Sequence, residues 1–176
     1  PSIPEAYESY MKGLYLLNKR HSLELAIDYL ELAKTVEPDN ALILAHLAHG
    51  YLLSASTGYG EMPANRMMPL ARDTASKALE LDPDLAEAHA ALALVSFSYD
   101  WDWKLAERHF EKAKRANPRY ATAYHWHALL LAAQGDLEEA MMEVDRAKEL
   151  DPYSPVTSTA SARIHYYRRD YREAET

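Results

Sequence analysis

The sequence predicts an all-α protein, a solenoid of stacked helical hairpins. Three observations predict it. A proline-ended phrase recurs at a nearly fixed interval, small residues recur at set distances before each proline, and turn-forming residues stand where each hairpin must reverse.

The recurring phrases are Ala33-Lys34-Thr35-Val36-Glu37-Pro38, Ala78-Leu79-Glu80-Leu81-Asp82-Pro83, Ala113-Lys114-Arg115-Ala116-Asn117-Pro118 and Ala147-Lys148-Glu149-Leu150-Asp151-Pro152. Their prolines lie 45, 35 and 34 residues apart. Each phrase closes an amphipathic helix at a residue that cannot continue it, because proline lacks the N–H and clashes with the preceding turn. Counting back from the prolines, a small residue opens the second helix of each hairpin at Ala26, Ala71, Ala106 and Ala140. Another falls near its end at Ala33, Ala78, Ala113 and Ala147, with Leu30, Ala75, Phe110 and Val144 between. The first helices carry a large residue at Tyr10, Leu44, His89 and Tyr124 and a small one at Ala48, Ala93 and Ala128, with Gly13 one place early in the first. Antiparallel helices approach closely only where Ala or Gly faces the partner and larger neighbours fill the flanks.

This pattern resembles the tetratricopeptide repeat, in four registered copies and the start of a fifth. The resemblance implies a right-handed α-solenoid forming a single domain over residues 1–176. Its repeats fall at about 7–40, 41–85, 86–120, 121–154 and, in part, 155–176. Ten helical segments are expected, the last short, and no strands. Turn chemistry agrees: Asp136, after Gly135, is expected to cap helix B of the fourth repeat in a capping box with Glu139, and Ser22, Asp102 and Asp170 occupy the equivalent place elsewhere. The second repeat carries about eleven extra residues near 54–65, read as a surface loop, after which helix B is expected to open close to Pro69. The phrases Tyr99-Asp100-Trp101-Asp102-Trp103 and Ala6–Tyr15 further resemble the repeat regions of bacterial multidomain regulators: winged-helix transcriptional activators, nucleotide cyclases and Ser/Thr kinases. With no Met at position 1 and Thr176 just past a helix start, the expectation is a piece of a longer protein.

Composition narrows the function. A net charge of −8 opposes nucleic-acid binding and anionic membrane surfaces. With no cysteine there is no disulfide or thiolate chemistry, which fits a cytoplasmic setting, and no apolar run is long enough to span a membrane. Phosphate-loop, dinucleotide, zinc-protease and nucleophile-elbow motifs are missing, so no catalytic residue, cofactor or metal is expected. Asp100 and Asp102 read as turn and cap residues, with Trp101 and Trp103 packed on the hairpin. Of the eight histidines, His46 with His49 and His125 with His127 form only pairs, short of the three or four ligands zinc needs. Arg163, Arg168, Arg169 and Arg172, mixed with tyrosines, read as a solvated helix end rather than a phosphate site.

The family resemblance places ligands along the groove lined by the first helix of each hairpin. Its inward positions map onto Met11, Tyr15 and Asn18, then Leu42, Ala45, His49 and Leu52. Glu87, Ala90, Leu94 and Phe97 follow in the third repeat, Thr122, His125 and Leu129 in the fourth, and Thr159, Arg163 and Tyr166 in the fifth. Apolar residues with small alanines among them suit a protein or peptide guest with apolar anchors. The Lys and Asn of the family's carboxylate clamp are replaced by Met11 and Tyr15 in the first repeat. The function expected is a protein–protein or peptide interaction scaffold; the alternative is a ligand-sensing regulatory domain of a transcriptional regulator, cyclase or kinase. A homodimer through the fifth repeat is expected too, its helix A around Ile164, Tyr166 and Tyr167 lacking a packing partner.

Overall fold

A computed structural model describes residues 1–20, 22–56 and 62–174. Among these residues there are ten helices and no strand. In chain order they are α1 (Pro4–Lys19), α2 (Leu23–Val36), α3 (Ala41–Ser54), α4 (Ala64–Leu81), α5 (Ala86–Ser98), α6 (Trp103–Ala116), α7 (Ala121–Gln134), α8 (Leu137–Leu150), α9 (Pro155–Arg168) and the short α10 (Tyr171–Ala174). The odd-numbered helices (A) α1, α3, α5 and α7 pack most closely on the even-numbered helix (B) that follows them, α9 packs most on α8, and each of the B helices α2, α4, α6 and α8 packs on the next A helix. The A helices also touch one another in sequence, α1 on α3 through to α7 on α9, so they form one continuous inner layer.

The alanines counted back from the prolines build that contact. Ala26, Ala33, Ala71, Ala78, Ala106, Ala113, Ala140 and Ala147 are all fully buried, as are Leu30, Ala75, Phe110 and Val144 between them. On the A helices Ala48, Ala93 and Ala128 are equally buried. Gly13 shows how tight the fit is: a Cβ there would stand 2.8 Å from Leu30 Cγ and 3.0 Å from the Ala26 carbonyl oxygen. The layers differ in how much each helix buries. In α6 only Ala106, Phe110 and Ala113 are buried, a single stripe that leaves the outer face to water. In α3 ten of fourteen residues are buried, as befits a helix enclosed by neighbours on most sides.

Helix ends account for the joints. Prolines in the stretches 38–39, 83–84, 118–119 and 152–153 sit in tight turns between B and the next A helix. The carboxylate of Glu37, at the end of α2, accepts the N–H groups of Ile3 and Ser2, so an anion from one helix sits at the positive start of α1. Those hydrogen bonds hold the Glu37 carboxyl down to about 2. The turns from A to B helix use left-handed backbone at Arg20, Ser22, Trp101, Gly135 and Arg169. Glycine takes this conformation without steric cost, but the other four bear a Cβ.

Several local expectations are corrected. Asp136 precedes α8 but its side chain makes no cap hydrogen bond, so no capping box forms with Glu139; Ser22 likewise makes none. Asp102 does cap α6, accepting from Leu105 N at 2.9 Å. Asp170 accepts from Glu173 N only through its backbone carbonyl. Helix α4 opens at Ala64, so Pro69 lies inside it; Met67 and Met68, buried in the preceding turn, anchor the stretch that proline weakens. Trp101 is not buried on the hairpin: it has left-handed backbone and is 73% exposed, its ring 6.5 Å from that of Trp103, while Trp103 packs edge-on against Phe97. Asp100 is paired with Arg72. Of the inserted stretch, residues 57–61 lie outside the described residues, and Met62 N donates to the Ser54 carbonyl at 3.1 Å beside them.

The close A-on-B contact makes a direct prediction. Ala106→Leu and Ala140→Leu should each lower unfolding stability by about 1–3 kcal/mol, because added methylenes force strain into a full interface. Urea denaturation followed by circular dichroism measures it, and unchanged midpoints in both variants would contradict this packing.

Candidate functional site

Two adjoining hollows lie between the A helices and share Arg20, Leu53 and Val156 in their walls. The larger, about 530 Å³, takes Tyr15, Asn18 and Lys19 from α1, His49 from α3, Thr122 from α7, and Tyr153 and Ser154 where the chain enters α9. The smaller, about 220 Å³, takes Leu94 from α5, His125, Trp126 and Leu129 from α7, and Thr159, Ala160 and Arg163 from α9. The first and fifth hairpins therefore wall the same space. Side chains of α3 and α7 reach one another across the inner layer: the His49 imidazole and Trp126 indole stand edge to face, with ring centroids 4.8 Å apart. Helix α5, between them in sequence, is rich in alanine, and Ala90, Ala91 and Ala93 are fully buried.

This curvature sorts the predicted groove residues. Tyr15, Asn18, His49, Leu94, Thr122, His125, Leu129, Thr159 and Arg163 line one or other hollow. Ala45, Leu52 and Ala90 do not: all three are fully buried in the packing between helices, so they leave no room for a guest. Leu42 and Phe97 are half-buried against the core, and Glu87 is half-buried outside both hollows. Met11 and Tyr166 are exposed away from them, the Tyr166 ring set edge-on to Tyr167 and tilted against Tyr171. Ile164, expected on an unpartnered face, is fully buried against α7 and α8 residues. Sequence reasoning missed Arg20, Leu53, Trp126 and Val156. Arg20 is the left-handed turn residue ending α1, which a helix-face pattern does not reach.

The remaining polar groups divide between the hollows and a second cluster. His46 Nδ1 lies 3.0 Å from the Leu42 carbonyl, turned to a different partner from His49. His127, 4% exposed, points away from the hollows, its Nε2 2.9 Å from the Glu107 carboxylate. Ligating atoms of Glu107, Glu111 and His127 converge within 4.8 Å, a triple that histidine spacing alone does not reveal. Lys114 supplies the positive charge there, with Nζ 2.7 Å from Glu111, 2.8 Å from Glu143 and 3.0 Å from His127 Nδ1. Arg168 bonds Glu138 at 3.2 Å and Asp170 at 3.1 Å, whereas Arg163 turns to the smaller hollow.

Antiparallel hairpins stacked into a curled array around an internal hollow define a helical-repeat scaffold. Residues 121–154 match the family model for the tetratricopeptide repeat, and the chain has the fold of a tetratricopeptide-repeat solenoid. Its fold is similar to that of a thermophilic TPR protein of Thermus thermophilus, at 18% identity and TM-score 0.75, covering 96% of this chain and 86% of that one. It is similar also to pilF of Pseudomonas aeruginosa, at 18% identity and TM-score 0.65, covering 97% and 72%. A third similar structure is the first TPR of Spaghetti (RPAP3) bound to the HSP90 peptide SRMEEVD, at 22% identity and TM-score 0.57, covering 74% and 94%. No curated protein matches the chain. No helix among the described residues is long and apolar enough to cross a membrane.

Burial sets the charge of the histidines. It pushes His125 down from 6.5 to about 4, with help from the guanidinium groups of Arg20 and Arg163, and it holds His49 well below 6.5. Burial lowers His46, His89 and His109 as well, the last to about 4. His127 is the exception: burial lowers it, but hydrogen bonds to Glu143 and Glu107 outweigh that and raise it. An imidazole with a lowered pKa contributes stability that is whole above its unfolded value and lost as pH falls through the interval below it. His127 has the opposite sign, its contribution being lost as pH rises through its raised value. Five lowered groups against one raised give the expected outcome: the urea midpoint falls as pH drops from 6.5 towards 4. A midpoint that holds or rises over that interval would contradict the burial of these rings.

Proposed function

We propose that this chain is a protein-interaction scaffold that takes an extended peptide with apolar anchors into the hollows between its A helices. The observation that carries the reading is that all five A helices converge on the two adjoining spaces. Leu53, Leu94, Leu129 and Val156 offer apolar wall, and the exposed Tyr15 stands at the rim. Neighbouring helical repeats present such continuous inner surfaces to partners, and the structurally similar RPAP3 domain was solved with a peptide. Together the hollows also have the volume of small-molecule sites, which favours a second reading as a ligand-sensing regulatory domain. Neither reading calls on a catalytic group.

Leu94 and Leu129 are half-buried and face the smaller hollow. Once a partner peptide is found by display selection against the folded protein, Leu94→Glu and Leu129→Glu should weaken its binding tenfold or more while the circular dichroism stays helical. Binding unaffected by both, or lost equally on changing exposed Leu32 of the outer layer, would overturn the location.

A further inference from the structure

Resting on that reading, we propose that the smaller hollow recognises an internal acidic side chain of the bound peptide, its carboxylate held by Arg163 and the ring N–H of His125 while an adjacent apolar residue lies against Leu94 and Leu129.

Three observations point to a carboxylate. His125 is only 8% exposed, lines the hollow, and has no hydrogen-bond partner among the described residues for either ring nitrogen. A ring in the wall that the fold leaves without a hydrogen bond can give or accept one with a ligand seated there. Arg163 on α9 faces the same ring and makes no ion pair among the described residues. The wall also holds Arg20 and not one acidic residue, in a chain whose net charge is −8. Positive charge gathered around a hollow of an acidic molecule marks where an anionic group is favoured and where it is steered.

The neutral state of the imidazole fits the role. With two guanidinium groups nearby and little water, His125 stays uncharged at pH 7 and donates one N–H to an oxygen of the guest. A guanidinium and one neutral donor suit the single charge of a carboxylate. The occupant is an internal side chain because the smaller hollow continues into the larger across Arg20, Leu53 and Val156, which leaves a path for the chain on the far side of the acidic residue. This differs from a clamp on a chain terminus, which needs a closed end.

The probes are Ac-Ser-Leu-Glu-Val-Ser-NH2, its Gln counterpart, and Ac-Ser-Leu-Gln-Val with a free C-terminus. Binding is followed by the ring nitrogen shifts of ¹⁵N-labelled His125 in the intact chain, with inorganic phosphate titrated alone. The Glu peptide should move the His125 resonances and bind about tenfold tighter than the Gln peptide, as for a hydrogen bond to a charged group. Arg163→Ala, at an exposed position, should abolish that preference, Arg163→Lys should keep part of it, and Arg108→Ala on α6 should keep all of it. Equal binding of the Glu and Gln peptides that still depends on Leu94 would overturn the carboxylate assignment and leave the scaffold reading standing. Absence of binding by every probe would overturn the assignment, as would tighter binding of the free C-terminus. So would a His125 shift with phosphate alone at the same concentration.

Discussion

Every hairpin of this protein depends on two helices coming close enough that only a hydrogen atom or a methyl group fits between them. Gly13 marks the limit, since a Cβ there would meet Leu30 and the Ala26 carbonyl inside contact distance. Elsewhere alanine serves, and each such alanine is sealed from water. Because dispersion and burial both fall steeply with a gap, small residues at these points set the distance at which all larger side chains must pack. Phe110 and Leu30 fill the flanks that this close approach creates. The same economy of size then acts a second time, between hairpins. Alanines on α5 keep the inner layer low enough for His49 of α3 to reach Trp126 of α7. The array curls there, and the curl converts an open face into hollows shared by α1 and α9.

Function follows from that geometry through electrostatics. A flat inner layer would leave His49 and His125 in water, titrating at ordinary values. The curl buries both, keeps them neutral, and places His125 beside Arg163 and Arg20 in a space with apolar walls. Charge of the sign opposite to the molecule's own is thereby gathered at the edge of the hollow, from half-buried Arg20 and exposed Arg163. The Glu107, His127, Glu143 and Lys114 cluster shows the contrasting solution. There the buried imidazole has carboxylates on both sides and a lysine beside it, so both of its ring nitrogens find partners within the fold, while Glu143 Oε2 is left without one.

The helix pairing was legible in the residues because it is local. Ala106, Phe110 and Ala113 lie within one helix, and the residues they meet lie one turn of chain away, so a period of about 34 exposes them. The hollow was legible only in part, since it is a sum over several hairpins. Helix-face spacing reached His49, Leu94, His125 and Arg163, which do line it. It also named Ala45, Leu52 and Ala90, which the curl buries, because small rotations between repeats leave no trace in periodicity. Arg20 escaped it as a turn residue. Trp101 escaped for a related reason: it sits in a turn with left-handed backbone, where hydrophobicity does not tell inward from outward, and it is exposed.

The central claim is that the array curls until its first and fifth hairpins wall one space. With no cysteine in the chain, Asn18→Cys and Tyr153→Cys give a specifically labelled pair on opposite sides of the larger hollow. Pulsed electron–electron resonance between nitroxides at these positions measures the distance directly. In a straight stack, four steps between neighbouring A helices would hold the two ends roughly 32–40 Å apart. The account predicts one narrow distribution well short of that span, and a distribution centred on the straight-stack distance would contradict it.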